Sequence, residues 1–235
     1  MNSIVEEIRR DLKASVDAKT QNSFQRFFKE PVRCYGVKTG TVGRIAKKYW
    51  ETVKDKEKSE IFALCEELYR SDYTEEAFVV SFWGMQFHRF VGPEDLAVFE
   101  RWIDTYINNW AKCDGFCNHA VGDLIAKFPE KVTELKTWAR SENRWMRRAS
   151  AVTLIVPAKT GKFLNEAFEI CDILLTDGDD MVQKGYGWLL KEASRTRQEE
   201  VFSYIMQNRQ RMPRTALRYA IELMPKELKA EAMRR

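Results

Sequence analysis

The sequence predicts an all-α chain in which antiparallel helical hairpins stack into a solenoid. Apolar residues recur at i, i+3/i+4 spacing along most of the chain. Turn-forming residues cut this pattern into helices of roughly ten to fifteen residues. Distinctive residues also return at intervals near forty: Trp110, Arg148 and Trp188. That interval is close to one HEAT or armadillo hairpin, about 40–47 residues.

Taken in order, the helical stripes begin with Ile4, Ile8 and Leu12, then Ile61, Leu64, Cys65 and Leu68. Phe78, Phe82 and Met85 extend the pattern as a core stripe, followed by Leu96, Phe99 and Ile103. Leu124 and Phe128 come next, then Trp145, Ala149, Val152 and Val156. Ile170, Ile173 and Leu174 follow, and Leu217, Ile221 and Met224 close the series. Pro93, Pro129 and Pro213 suit first-turn positions, where a missing N–H leaves no bond unmade. Thr74-Glu-Glu and Ser141-Glu read as helix starts, with an N-cap oxygen ahead of first-turn carboxylates. Asp177-Gly-Asp-Asp180 reads as the turn before the helix of Trp188. Gly36, Gly40 and Gly43 read as turns, as does Lys159-Thr-Gly-Lys162. Neither stretch has the spacing of a phosphate-binding loop, so no nucleotide cofactor is expected. Connections are short and no linker or composition break is visible, so residues 1–235 are expected to form one domain.

Bulk properties narrow the class. Charged residues make up 31% and apolar residues 44%, values of a globular rather than a disordered chain. No apolar run reaches the ~18 residues of a membrane span, and residues 1–10 lack a signal-peptide core, so the cytoplasm is the expected location. The 5 cysteines read as reduced thiols. Cys113, Cys117 and His119 lack a second ligand pair, and no metal is expected there. His88 reads as a packed residue at the core or its rim.

Charge is unevenly placed. Residues 1–50 hold 11 Lys/Arg against 5 Asp/Glu, residues 51–110 hold 6 against 13, and residues 184–235 hold 12 against 6. Basic ends could grip a polyanion, or they could be ordinary solvated helix faces.

The chemistry concentrates on a few side chains. Trp110 and Asp114, four residues apart, share one helical face. Trp145, Ala149 and Val152 point to the core, which leaves Arg144 and Arg148 on an adjoining face. Gly185 and Gly187 precede Trp188 and remove bulk, so a ligand backbone could approach. A carboxylate beside indole faces suits a reaction that builds positive charge, and an arginine suits a phosphate.

Trp110-x-x-x-Asp114, Arg148 in an Arg-Arg-Ala run, and Gly187-Trp-Leu-Leu-Lys-Glu192 together resemble the bacterial AlkD-type DNA alkylation-repair glycosylases. Phe27-Phe-Lys, the Gly36-Val-Lys-Thr turn and Pro213-Arg-Thr-Ala-Leu-Arg218 extend the likeness over most of the chain. The resemblance implies HEAT-like repeats with a concave DNA-binding surface. It implies hydrolysis of the N-glycosidic bond of cationic purines such as 3-methyladenine and 7-methylguanine in duplex DNA. Asp114 would be the catalytic aspartate, with Trp110 and Trp188 against the deoxyribose and Arg148 near the backbone. Arg144, Lys191, Arg214 and Arg218 are further candidates for phosphate contact. Phe27 stands where the family pattern has a tyrosine; it keeps the ring and loses the hydroxyl. Lys191 stands for a common arginine, keeping the charge without the bidentate fork. The stretch from Gly115 to His119 is more polar than the family pattern.

The chemistry is self-consistent. As a cationic purine leaves neutral, its charge passes to the sugar. At ~4 Å and an effective dielectric near 20, a carboxylate favours that charge by about 4 kcal/mol, roughly a thousandfold in rate. Each indole face adds about 0.5–2 kcal/mol. No cofactor is expected, and an extended array of this kind is expected to be monomeric. Two other readings stay open: a non-catalytic protein that binds bent or branched DNA, and a protein–protein scaffold.

Overall fold

A computed structural model describes residues 3–234 of the chain. These residues are helical, with no strand among them. They gather into two compact units, Met1–Phe116 and Cys117–Arg235. The boundary falls inside a helical run, which is why no linker composition marks it.

The first unit contains α1 (Ile4–Ala14), α2 (Ala18–Phe24), α3 (Thr39–Val53), α4 (Lys58–Arg70), α5 (Thr74–Gly84), α6 (Leu96–Tyr106) and α7 (Trp110–Phe116). One layer runs α3 on α5 on α7, and a second runs α1 on α4 on α6. Between them lies an aromatic core. Trp102, Phe99 and Phe116 meet at tilted and edge-on angles, with centroids 5.2–5.9 Å apart. Such geometry adds about 0.5–1.5 kcal/mol per pair beyond burial.

The second unit opens on a π-helical turn, Cys117–Val121. It continues through α8 (Gly122–Lys127), α9 (Val132–Trp138), α10 (Arg144–Val152), α11 (Ile155–Ala158) and α12 (Leu164–Leu174). It closes with α13 (Asp180–Ala193), α14 (Gln198–Asn208), α15 (Arg214–Ala220) and α16 (Lys226–Met233). Here α10 packs on α13 and α13 on α15. Gly187 permits the second contact, since a Cβ there would lie 2.7 Å from Tyr219 Cβ and 2.8 Å from the Ala216 carbonyl oxygen.

Several local expectations are corrected. Gly40 and Gly43 are helical, in the first turns of α3; Gly36 alone of the three has a positive φ, +92°. Thr74 is not an N-cap. It is the first residue of α5, buried, and its hydroxyl donates to the Arg33 carbonyl at 3.0 Å. Glu75 and Glu76 are fully buried rather than solvated. Glu75 accepts the backbone N–H groups of Tyr35, Gly36 and Val37 at 2.8–3.0 Å. Glu76 accepts the Tyr35 hydroxyl at 2.6 Å and pairs with Arg9 at 3.2 Å. The two acids therefore pin the loop before α3, as buried carboxylates must be paired to be tolerated. The cap of α10 is Asn143, not Ser141; its side chain accepts Trp145 N–H at 2.9 Å. Asp179 caps α13. Phe78 and Phe82 are only half-buried and Met85 is exposed. α5 is apolar nearly all round and buries Ala77, Val79, Val80 and Trp83 instead, so its periodicity misled. His88 lies exposed in a 3-10 turn.

Candidate nucleic-acid site

In the first unit, Asn109 lies just before α7, and its side-chain oxygen accepts Lys112 N–H at 3.0 Å. Lys112 itself is 1% exposed. Its ammonium donates to the Asp72 carboxylate at 2.7 Å, the Asp72 carbonyl at 3.1 Å and Asn108 at 3.0 Å. Burial pushes this amine below the ordinary lysine range, and the Asp72 charge opposes the shift. Asp72 sits at φ +62°, so the lysine clamps a strained turn onto α7. Cys113 and Phe116 fill the core, and Gly115 lets α7 approach Ser81 of α5. What α7 leaves half-exposed is the side bearing Trp110, Ala111 and Asp114.

Trp110 is held from far away in sequence. Its indole N–H donates to the Phe27 carbonyl at 3.0 Å, and its ring stacks on Phe28 at 5.4 Å. Phe28 in turn stacks on Phe24 at 5.4 Å. The sequence singled out Phe27 as the stacking ring of this segment. The structure gives the Trp110 contact to Phe28 and leaves the Phe27 side chain 68% exposed.

In the second unit, Arg148 on α10 is 5% exposed, not an open surface charge. Its guanidinium donates to the Met181 carbonyl on α13. Its stem fills the space a side chain would take at Gly185, where a Cβ would lie 3.3 Å from Arg148 Cγ. The two glycines before Trp188 thus admit the protein's own groups rather than a ligand backbone: Gly185 admits Arg148, and Gly187 admits α15. Arg144 is half-buried and paired with Asp179 at 2.8 Å, its guanidinium 4.9 Å from the Trp145 ring.

Trp188 is half-exposed, and its indole N–H donates to Glu192, one turn on, at 3.1 Å. Glu192, only 5% exposed, also accepts Arg195 Nε at 2.5 Å and lies 3.7 Å from Lys159. Burial pushes its carboxyl up, but the Arg195 and Trp188 hydrogen bonds and the Lys159 charge outweigh that, and the net shift is downward. Lys191 pairs with Glu222 at 3.1 Å. Arg214 and Arg218 are exposed one turn apart on α15.

Glu192, Lys112 and Phe28 are positioning residues the sequence reading missed. Glu192 and Lys112 each had a local signal, the i, i+4 spacing from Trp188 and from Asn108. Cys113 and Cys117 are buried free thiols. Among the described residues no cluster of three or more His, Cys, Asp or Glu could hold a metal, and no helix is long and apolar enough to cross a membrane.

A sequence model of the DNA alkylation repair enzyme family matches residues 8–224. No curated protein sequence matches. Solved structures share the fold. A predicted DNA alkylation repair enzyme from Enterococcus faecalis superimposes with a TM-score of 0.81 at 16% identity, covering 90% of this chain and 98% of that one. AlkD2 from Streptococcus mutans gives 0.64 at 17% identity, with 94% and 99% covered. The alkylpurine DNA glycosylase AlkC from Pseudomonas fluorescens, bound to DNA containing an abasic-site analog, gives 0.52 at 14% identity, with 93% and 61% covered. The chain belongs to the DNA alkylation repair enzyme family.

Proposed function

We propose that this member of the DNA alkylation repair enzyme family is a glycosylase that removes cationic alkylated purines, such as 3-methyladenine and 7-methylguanine, from duplex DNA. The carrying observation is α7. It sets a half-exposed carboxylate and a half-exposed indole one turn apart, and pins the indole through Phe27 and Phe28. In the reaction, the bond between C1′ and the purine nitrogen breaks and its electron pair leaves with the base, which departs neutral. The positive charge passes to the sugar, where Asp114 and the Trp110 face stabilise it. Water adds at C1′ and loses a proton, leaving an abasic site. Placing the charge where it develops, rather than where it starts, is what makes the interaction catalytic.

The second unit supplies grip. Trp188 offers an indole face for deoxyribose, and Arg144, Lys191, Arg214, Arg218 and the Phe27 ring of the first unit are the proposed DNA contacts. The burial of Arg148 supports a part in fixing α13, the helix that carries Trp188, with its charge adding to the local field. The AlkC structure with abasic-site DNA supports the same class of product.

Incubation with methylated duplex DNA, followed by chromatography of the freed bases, tests this reading. Release of 3-methyladenine or 7-methylguanine is expected, falling about 10²–10³-fold in Asp114→Asn with duplex affinity retained, as for loss of one preorganised electrostatic group. Native-like release by that variant would overturn the assignment. DNA affinity without any base release would instead favour the non-catalytic reading, which the missing hydroxyl at Phe27 keeps in view. Arg214→Gln with Arg218→Gln is expected to reduce the slope of log affinity against log salt by about 2, near 0.9 per phosphate contact. An unchanged slope removes both from the interface.

A further inference from the structure

We infer that the first unit carries a second nucleic-acid site, a cleft between α3 and α5 that takes an unstacked nucleotide of a DNA strand. The inference rests on the chain being a DNA-binding protein but not on Asp114 or on base release.

The cleft has a volume of about 630 Å³, within the usual range for small-molecule sites, about 300–1,000 Å³. α3 lines it along its length, at positions 40, 43, 44, 46, 47, 50, 51 and 54. Gly43 is explained by packing. A Cβ there would lie 3.1 Å from the Phe82 ring, so that ring rests directly on the helix backbone. Gly40 is not explained by packing, because nothing lies within 4 Å of the position of its missing Cβ. A helix tolerates each glycine at a cost of about 1 kcal/mol relative to alanine. Here the two leave the mouth open and bring an aromatic floor close. That floor is the half-exposed Phe82, the edge of Trp50 and Met85, which is 40% exposed.

The rim is cationic. Arg44, Lys47, Lys54 and Arg89 line it against one carboxylate, Glu51. Lys54 pairs with Glu51 at 2.6 Å. The Glu51 carboxyl is held below its ordinary range by Lys54 first, and the charges of Lys47 and Arg89 also reach it. These cations therefore converge on one place. An apolar floor with a cationic rim fits a base with its phosphates: stacking contributes about 1–3 kcal/mol per base, and the rim neutralises the backbone. In an intact duplex the base faces are already stacked on one another, so the floor calls for an unpaired nucleotide. A phosphate alone would leave the floor unused.

The test compares a duplex bearing one bulged 2-aminopurine nucleotide with a flush duplex of equal length, reading affinity by anisotropy and the base by its emission. The bulged duplex is expected to bind about tenfold more tightly, with its emission changed. Gly40→Phe, which fills the open mouth, is expected to abolish that preference while keeping the melting temperature and the release of methylated bases. Lys47→Ala with Arg89→Ala is expected to reduce it at least threefold. Equal affinities for the two duplexes overturn the inference. So does an equal loss on both duplexes in the lysine–arginine variant, which would make the rim an ordinary backbone contact. A bulge preference without base release upholds this site and removes the glycosylase reading; base release without a bulge preference does the reverse.

Discussion

Trp110 and Trp188 are both half-exposed indoles near a helix carboxylate, yet they are held in opposite ways. Trp188 donates its indole N–H to Glu192 on the same helix, and the helix is locked between Arg148 and α15. Trp110 takes its support from residues 24–28, about eighty positions away in the chain. The first arrangement is local and rigid. The second makes an indole beside the proposed catalytic acid depend on an exposed segment. Two residues that look equivalent in sequence therefore have different vulnerabilities.

Changing the tight helix contact gives the largest difference between the units. Gly187→Leu forces a side chain into Tyr219 and the α15 backbone, and is expected to destabilise the protein by about 1–3 kcal/mol in urea unfolding, as overpacking does. Gly115→Ala in α7 is expected to be nearly neutral. It meets only the Ser81 side chain, the hydroxyl at 3.1 Å and Cβ at 3.4 Å, and the gain in helix propensity, about 1 kcal/mol, offsets the contact. A large loss at Gly115 would show α7 to be as tightly fixed as α13.

Loosening each indole is a smaller change. Phe28→Ala is expected to remove about 0.5–1.5 kcal/mol of stacking and to shift emission from Trp110 without touching Trp188. Glu192→Leu should do the converse. Cross-talk, with either variant disturbing both indoles, would break the distinction drawn between them. Single-tryptophan versions of the protein would separate the signals.

The smallest effect is electrostatic. Glu66 accepts Arg101 through both oxygens at 2.9–3.0 Å and Tyr106 at 3.1 Å, joining α4 to α6. The Arg101 contact, set against partial burial, holds its carboxyl down at about 2. A depressed carboxylate stabilises the folded state above its unfolded pKa near 4.5, and that contribution fades as pH falls toward 2. Arg101 is half-exposed, so the effect is expected below about 1 kcal/mol. Glu66→Gln should flatten the acid side of the stability curve in the first unit; a curve identical to that of the native protein would remove Glu66 from the account.

The all-helical fold was legible because apolar spacing survives in most helices. So was the placing of Trp110 and Asp114 on one side of α7, which needs only helical geometry. What was not legible depended on distant partners. Arg148 reads as an exposed charge until Gly185, thirty-seven positions on, is seen to make room for it. Glu75 and Glu76 read as first-turn acids behind an N-cap, and nothing local announces the three backbone N–H groups and Arg9 that arrive from other segments. Phe27 and Phe28 are adjacent identical rings, and nothing local says which of them meets Trp110. Gly43 reads as a turn because its low helix propensity is visible in the sequence and its packing reason, the Phe82 ring on α5, is not.

The arginine threaded through the gap at Gly185 also bears on how the second unit opens. α13 cannot lift from α10 while that side chain lies between them, so amide protons on the two helices should exchange with solvent together, in a single opening event, and later than those of α14.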